Sequence, residues 1–192
     1  MASKENKRDR IIEAAIQILS RKGYHNTKME EIAAVAGIGK GTIYEYFPSK
    51  LQLLQKILER SFYLYDHSTK ADTSNSLSAE QKIRRLIEAH LRFCQENKDL
   101  TSILFFDTEI IDHELRDWAC QKRRVKEEHM RSLFKEAISS GEIRDLDTKM
   151  LTIIISGIFS SFWVPVVIEG WDIDATMAAE QVTDIIMHGI KR

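Results

Sequence analysis

The stretch from residue 27 to residue 50, TKMEEIAAVAGIGKGTIYEYFPSK, carries two short helices joined by a tight turn. Thr27-x-x-Glu30 has the form of a capping box, in which the threonine hydroxyl accepts from a first-turn amide while the glutamate reaches back. The first helix runs through Ile32, Ala33 and Ala36 to Gly37; a second occupies about 40–47 and is stopped by Pro48. Ala36-Gly37 gives the turn a small residue and a backbone free to take a positive φ. Ile32, Val35, Ile38 and Ile43 are spaced to hold the two helices together. A helix-turn-helix core over 28–47 is the expectation, and that geometry sets the N-terminal residues of its second helix into a major groove.

The second helix begins GKGTIYEYF, and its chemistry suits nucleic acid. Gly39 and Gly41 allow close backbone approach. Lys40 offers charge to a phosphate or a guanine edge, and Thr42 and Tyr44 offer hydroxyls. Tyr46 and Lys50 stand at the far end, where the amides of the next helix are anion donors. Each has a plainer reading beside it: Thr27 as a cap, Tyr44 as packing, Lys40 and Lys50 as solvated lysines. Phe47 reads as core. Glu45 either faces outward or accepts from a cytosine amine.

Outward from this stretch, the chain keeps helical periodicity. Residues 8–22 put Ile11, Ile12, Ala15, Ile16 and Leu19 on one face, and Gly23 behind Arg21-Lys22 is a suitable stop. Ser49-x-x-Gln52 caps a helix over 50–70, and the polar stretch 70–78 follows. Ser78-x-x-Gln81 opens a helix to about 97, followed by expected helices over 100–107, 112–140, 147–169 and 174–188. Two prolines and eight glycines in 192 residues favour long helices, and no segment alternates as a strand does. The expected class is all-α: an N-terminal three-helix domain over 1–50, a linking helix over 50–70, and a larger helical domain within 51–192.

A net charge of −1 does not by itself point to nucleic acid, but its distribution is uneven. Residues 1–50 hold nine Lys or Arg against six acids, which marks that segment as the one to approach phosphates. Cys94 and Cys120 lack zinc spacing and read as reduced thiols in a cytoplasmic protein. The charged start MASKENKRDR is no secretory signal.

From about residue 8 to 58 the sequence resembles the TetR family of bacterial regulators. The resemblance lies in the Ile/Ala-rich first helix, Gly23-Tyr24, Thr27, Ile32-Ala33-x-x-Ala36-Gly37-Ile38, and Gly41-Thr42-Ile43-Tyr44-x-Tyr46-Phe47-x-x-Lys50. It implies a homodimer on a palindromic operator in double-stranded DNA, usually a repressor released by a small-molecule effector. It further implies a DNA-contacting set of Thr27, Lys28, Lys40, Gly41, Thr42, Tyr44, Tyr46 and Lys50, largely on phosphates, and no cofactor. The resemblance fades after about residue 60, where an effector-binding and dimerisation domain is expected.

Within that domain, Phe62, Tyr63, Tyr65, Phe93, Phe105, Phe106 and Trp118 fall on the helices that surround effectors in the family, with His90, Arg92 and Arg116 able to orient a polar group. Such a cavity suits a hydrophobic ligand, although aromatics at helical spacing also read simply as core. By the same resemblance the last two long helices pair between subunits. Ser156, Gly157 and Ser160 permit close approach there, with apolar area from Ile153, Ile154, Ile158, Phe159, Phe162 and Trp163. Residues 150–168 carry no charge and approach the length of a membrane span, but an oligomer interface explains them better. Pro165 is expected to loosen that helix near its end. Asp107, Glu109, Asp112 and His113 could be read as metal ligands; acids at a helix start are the simpler account, so no metal is expected. The competing class is an all-α ligand-binding protein or enzyme whose helix-turn-helix only packs. The sequence offers it no phosphate loop, nucleophile elbow or paired Glu-x-x-His motif.

Overall fold

The computed structural model describes residues 2–69, 77–105 and 113–190. Nine α-helices and one π-turn occur among them: α1 Ala2–Asn26, α2 Met29–Val35, α3 Lys40–Tyr46, α4 Lys50–Ser68, α5 Ala79–Glu96, α6 Lys98–Phe105, α7 His113–Ser139, α8 Thr148–Ser161 and α9 Ala175–Ile190, with the π-turn at Val164–Ile168. The all-α expectation holds, and no β-strand occurs among the described residues. The chain divides into two compact units, residues 1–64 with 97–108, and residues 65–96 with 109–192.

In the first unit the apolar stripes read from the sequence meet as a core. Ile11, Ala15 and Leu19 of α1, Ile32 of α2, Ile43 of α3 and Leu53, Leu54, Ile57 and Leu58 of α4 are all buried. Phe47 packs into the same unit, with the Arg8 guanidinium 5.4 Å from its ring centre. Val35 departs from the expectation: it is 55 % exposed, and Ala36 takes the inward position instead. The cause is the short reach of α2, whose inward stripe is Met29, Ile32, Ala33 and Ala36; position 35 falls off that face.

The helix starts follow local chemistry. Ser49 Oγ accepts from the Gln52 amide at 3.1 Å, and Ser78 and Gln81 form the full reciprocal box at 3.2 and 3.0 Å. Asp147 caps α8 by accepting from the amides of Lys149 and Met150, and Asp174 accepts from those of Thr176 and Met177 ahead of α9. Thr27 is not the cap of α2. The capping position is Lys28, whose amide donates to Glu31 Oε2 at 3.4 Å, so the box is shifted by one residue from Thr27/Glu30. Thr27 is buried and its hydroxyl donates to the Gly23 carbonyl at 2.8 Å, back toward α1.

The second unit is built on α5. Ile83, Ile87, Leu91 and Cys94 of that helix are buried with Phe134 of α7, Leu151 and Ile155 of α8, Val166 of the π-turn and Ala179 and Ile186 of α9. The expected single helix over 147–169 is broken. α8 ends at Ser161, and Pro165, which has no amide to donate, sits inside the π-turn. Among the described residues one stretch, Thr148–Ile168, is long and apolar enough to cross a membrane, with a mean hydropathy of 2.1, yet only 22 % of its 18-residue apolar window is buried within the chain.

Candidate functional site

The turn between α2 and α3 is a Schellman closure. Ile38 donates to the Ala33 carbonyl at 3.0 Å and Gly37 to that of Ala34 at 3.1 Å, with Gly37 at φ +65°. Only a residue without Cβ adopts that backbone freely. A Cβ on Gly37 would also meet Arg10 Nη2 at 2.7 Å. Arg10, from α1, donates to the carbonyls of Ala36 and Gly37 and so pins the corner of the motif from outside it. Sequence reading missed this residue, because nothing local marks a hydrogen bond across 26 positions.

Beyond the turn, α3 is anchored on one side by Ile43 and presents the other to solvent. Lys28, Lys40, Gly41 and Tyr44 are exposed, Tyr44 at 41 %, while Thr42 and Tyr46 are half-buried. A Cβ at Gly41 would touch no protein atom, so the backbone at the start of α3 is open to an approaching surface. Lys40 Nζ lies 2.9 Å from Glu30 Oε1, and this partner raises the lysine pKa and lowers that of the glutamate. Both side chains are solvated, which makes the pair weak and its lysine free to be drawn to phosphate.

Two of the sequence-predicted contacts face inward. Thr27 is 1 % exposed. Lys50 Nζ donates to the carbonyls of Tyr24 at 2.5 Å and Thr27 at 2.6 Å and stands 4.3 Å from the Tyr24 ring centre. Partial burial lowers its pKa.

In the second unit, Tyr65, His90 and Phe93 of the expected effector set come together. Tyr65 Oη lies 2.9 Å from His90 Nδ1, and His90 Nε2 lies 3.1 Å from the Phe159 carbonyl. A carbonyl only accepts, so Nε2 carries the proton and Nδ1 accepts from the tyrosine hydroxyl. The His90 ring stacks on Phe159, and Tyr65 meets Phe93 edge-on at 5.1 Å. Burial pushes the His90 pKa down to about 4 and that of Tyr65 up, so both are neutral. Lys126, which sequence reading did not single out, sits 3.7 Å from the Tyr65 ring centre and pairs with Asp66 at 3.2 Å. Trp118 is half-buried, and Phe62 belongs to the first unit. The side chain of Phe105 and the whole of Phe106 lie outside the described residues, as do Asp107, Glu109 and Asp112 of the metal reading. No cluster of metal-ligating side chains occurs among the described residues.

On α8, Met150, Ile153, Ile154, Gly157 and Ser160 are exposed, and Val164 and Ile168 of the π-turn are exposed beyond its end. Trp163 is half-buried, and Ile158, Phe159 and Phe162 pack against the core of their own unit.

These features define a helix-turn-helix protein of the DNA-binding kind with a second helical unit. Known proteins narrow the class. The description "bacterial regulatory proteins, tetR family" matches residues 11–57, and a tetracyclin repressor-like C-terminal domain matches residues 76–190. The second match alone covers more than half of the chain, and the chain belongs to the TetR family of transcriptional regulators. The fatty acid metabolism regulator protein of Bacillus subtilis is 24 % identical over 99 % of this chain and 98 % of its own length. The solved structure of FadR from Bacillus subtilis in complex with stearoyl-CoA superposes with a TM-score of 0.77 at 24 % identity, covering 92 % of this chain and 95 % of that one. AibR, solved with isovaleryl coenzyme A and operator DNA, gives 0.79 at 18 % identity over 93 % and 97 %. The two Bacillus subtilis proteins are named as regulators.

Proposed function

We propose that the chain is a cytoplasmic, homodimeric repressor that reads a palindromic operator through α3 and is released by a small hydrophobic effector held in the second unit. The observation that carries the reading is the split character of α3: Ile43 and the following Phe47 are buried, while Lys40, Gly41 and Tyr44 face outward. A helix seated this way presents its N-terminal residues to a groove. Lys28, Lys40, Thr42, Tyr44 and Tyr46 are the proposed DNA contacts, phosphates first. A net charge of −1 argues for two copies binding together, because one copy gains little from phosphates alone.

The dimer surface is the exposed α8 face with Ile153, Gly157 and Ser160, continued past the helix end by the half-buried Trp163. An apolar face with Met150, Ile153, Ile154, Val164 and Ile168 exposed calls for a cover, and a second copy supplies one with two-fold symmetry. The effector reading rests on Tyr65, His90, Phe93 and Trp118, and on a relative named for fatty acid metabolism. FadR and AibR were solved with acyl thioesters, which supports an acyl-bearing effector for this chain too.

A mobility-shift assay with a palindromic duplex from the chain's own upstream region tests the proposal. Binding is expected from the wild type, and Tyr44→Ala is expected to weaken it at least tenfold with the helical circular dichroism intact. Equal binding by Tyr44→Ala would refute the assigned face. A long-chain acyl-CoA should lower operator affinity; no change would remove the effector class.

A further inference from the structure

We propose that Lys50 is an internal clamp that fixes the root of the helix-turn-helix, and not one of its phosphate contacts. This rests on the DNA-binding reading above but concerns how the motif is held. An ammonium has three protons to donate. In Lys50 two are engaged, by the carbonyls of Tyr24 and Thr27 at 2.5 and 2.6 Å, and the charge stands over the Tyr24 ring at 4.3 Å.

Those carbonyls lie just past Gly23, where the backbone of α1 breaks: Tyr24 in its last turn and Thr27 in the connection to α2. The connection is already turned inward: the Thr27 hydroxyl donates to the Gly23 carbonyl and the Thr27 amide to that of Tyr24. Lys50 opens α4. Its two bonds therefore join the chain just before α2 to the chain just after α3, closing a loop that contains both helices of the motif. Arg10 pins the opposite corner through the Ala36 carbonyl. With both in place, α3 is held at its turn and at its root before DNA arrives, so less ordering is left to be done on binding. Two of its three donors are thus spent inside the chain, and drawing the ammonium away to a phosphate would take one donor from each of these carbonyls.

Salt dependence separates a clamp from a phosphate contact. Each neutralised phosphate contributes roughly −0.9 to the slope of log K against log salt. Binding to the upstream duplex and to a scrambled duplex of equal length would be measured from 50 to 300 mM KCl for the wild type, Lys50→Gln and Lys28→Gln. For Lys50→Gln the expected result is an unchanged slope, a loss of tenfold or more on the specific duplex, and little loss on the scrambled one. Lys28→Gln, which removes an exposed lysine, should lose about 0.9 of the slope on both. A slope reduced by about 0.9 in Lys50→Gln, or an unchanged specific affinity, would overturn the clamp.

Should Lys50→Gln fail to fold, the wild type still decides through its lysine ¹⁵Nζ resonances, with Lys50→Arg giving the assignment. The Lys50 ammonium should be visible and slow to exchange in the free protein, and unmoved by duplex. Fast exchange in the free protein, with protection appearing only on DNA, would refute it. If the wild type binds neither duplex, the operator reading fails, and the ammonium signal alone judges the clamp.

Discussion

Acidification should destabilise the second unit through His90 before most carboxylates are protonated. The ring is stacked on Phe159 and hydrogen-bonded to the Tyr65 hydroxyl and the Phe159 carbonyl, and its burial outweighs the pull of that carbonyl toward the protonated form and keeps it neutral. Around it, Cys94 Sγ lies 3.6 Å from Nε2, and the positive charge of Lys126 further disfavours protonation. A histidine titrating near 6.5 in the unfolded chain and about 4 in the folded one binds more protons unfolded throughout that window. Its stabilising contribution is complete above pH 6.5 and is lost as the pH falls toward 4. Linkage then gives a loss of about 2 kcal/mol between pH 7 and pH 5, and about 3 kcal/mol by pH 4. Few unfolded carboxylates, with pKa values near 4, titrate above pH 5, so the upper part of the window isolates the histidine. Trp118, Trp163 and Trp171 all belong to this unit, so urea unfolding followed by tryptophan fluorescence at fixed protein concentration reads it directly. His90→Gln should be less stable at pH 7, having lost the matched pair of hydrogen bonds, but should lose about 2 kcal/mol less than the wild type on going to pH 5. Parallel losses in the two proteins, or a His90 ring titrating near 6.5 by NMR, would refute the reasoning.

Other outcomes follow from the same packing. Gly37→Ala should cost on the order of 1–2 kcal/mol in thermal unfolding, because φ +65° is strained for alanine and Arg10 must give way; an unshifted melting curve would contradict this. Ile43→Ala, at a fully buried position, should cost about 2–4 kcal/mol, whereas Val35→Ala, 55 % exposed, should stay within about 0.5 kcal/mol. Comparable losses at both positions would mean that the core of the motif has been misread. Ile153→Glu places a charge on the exposed α8 face and should yield monomers in sedimentation velocity without loss of helicity; a dimer of unchanged affinity would move the interface elsewhere.

Much of the architecture was legible because it is written in short-range chemistry. The boxes at Ser49/Gln52 and Ser78/Gln81, the positive-φ turn at Gly37 and the buried stripe on α1 each involve residues within a few positions of one another. Hydrophobic period and cap chemistry specify such features without knowledge of the fold. The errors are equally local. Thr27 and Lys28 are adjacent, and which of them caps α2 depends on Lys50 and Gly23 drawing Thr27 inward. The loosening at Pro165 was foreseen from the missing amide, but not that the helix would end at Ser161.

By itself, the stretch from 27 to 50 determined the motif and the helix that faces outward, and helical periodicity along the whole chain with its few prolines and glycines determined the all-α class. Tertiary structure alone decided which side chains the motif spends on holding itself together. Arg10 and Lys50 look like any surface cation in sequence; their partners are backbone carbonyls 23–27 positions away. The same holds for His90, whose neutrality and low pKa come from burial between Tyr65 and Phe159, 25 and 69 positions distant. A charge or ring in sequence has an intrinsic pKa and a donor count, but only packing decides what surrounds it, and that decides whether it faces water, DNA or its own chain.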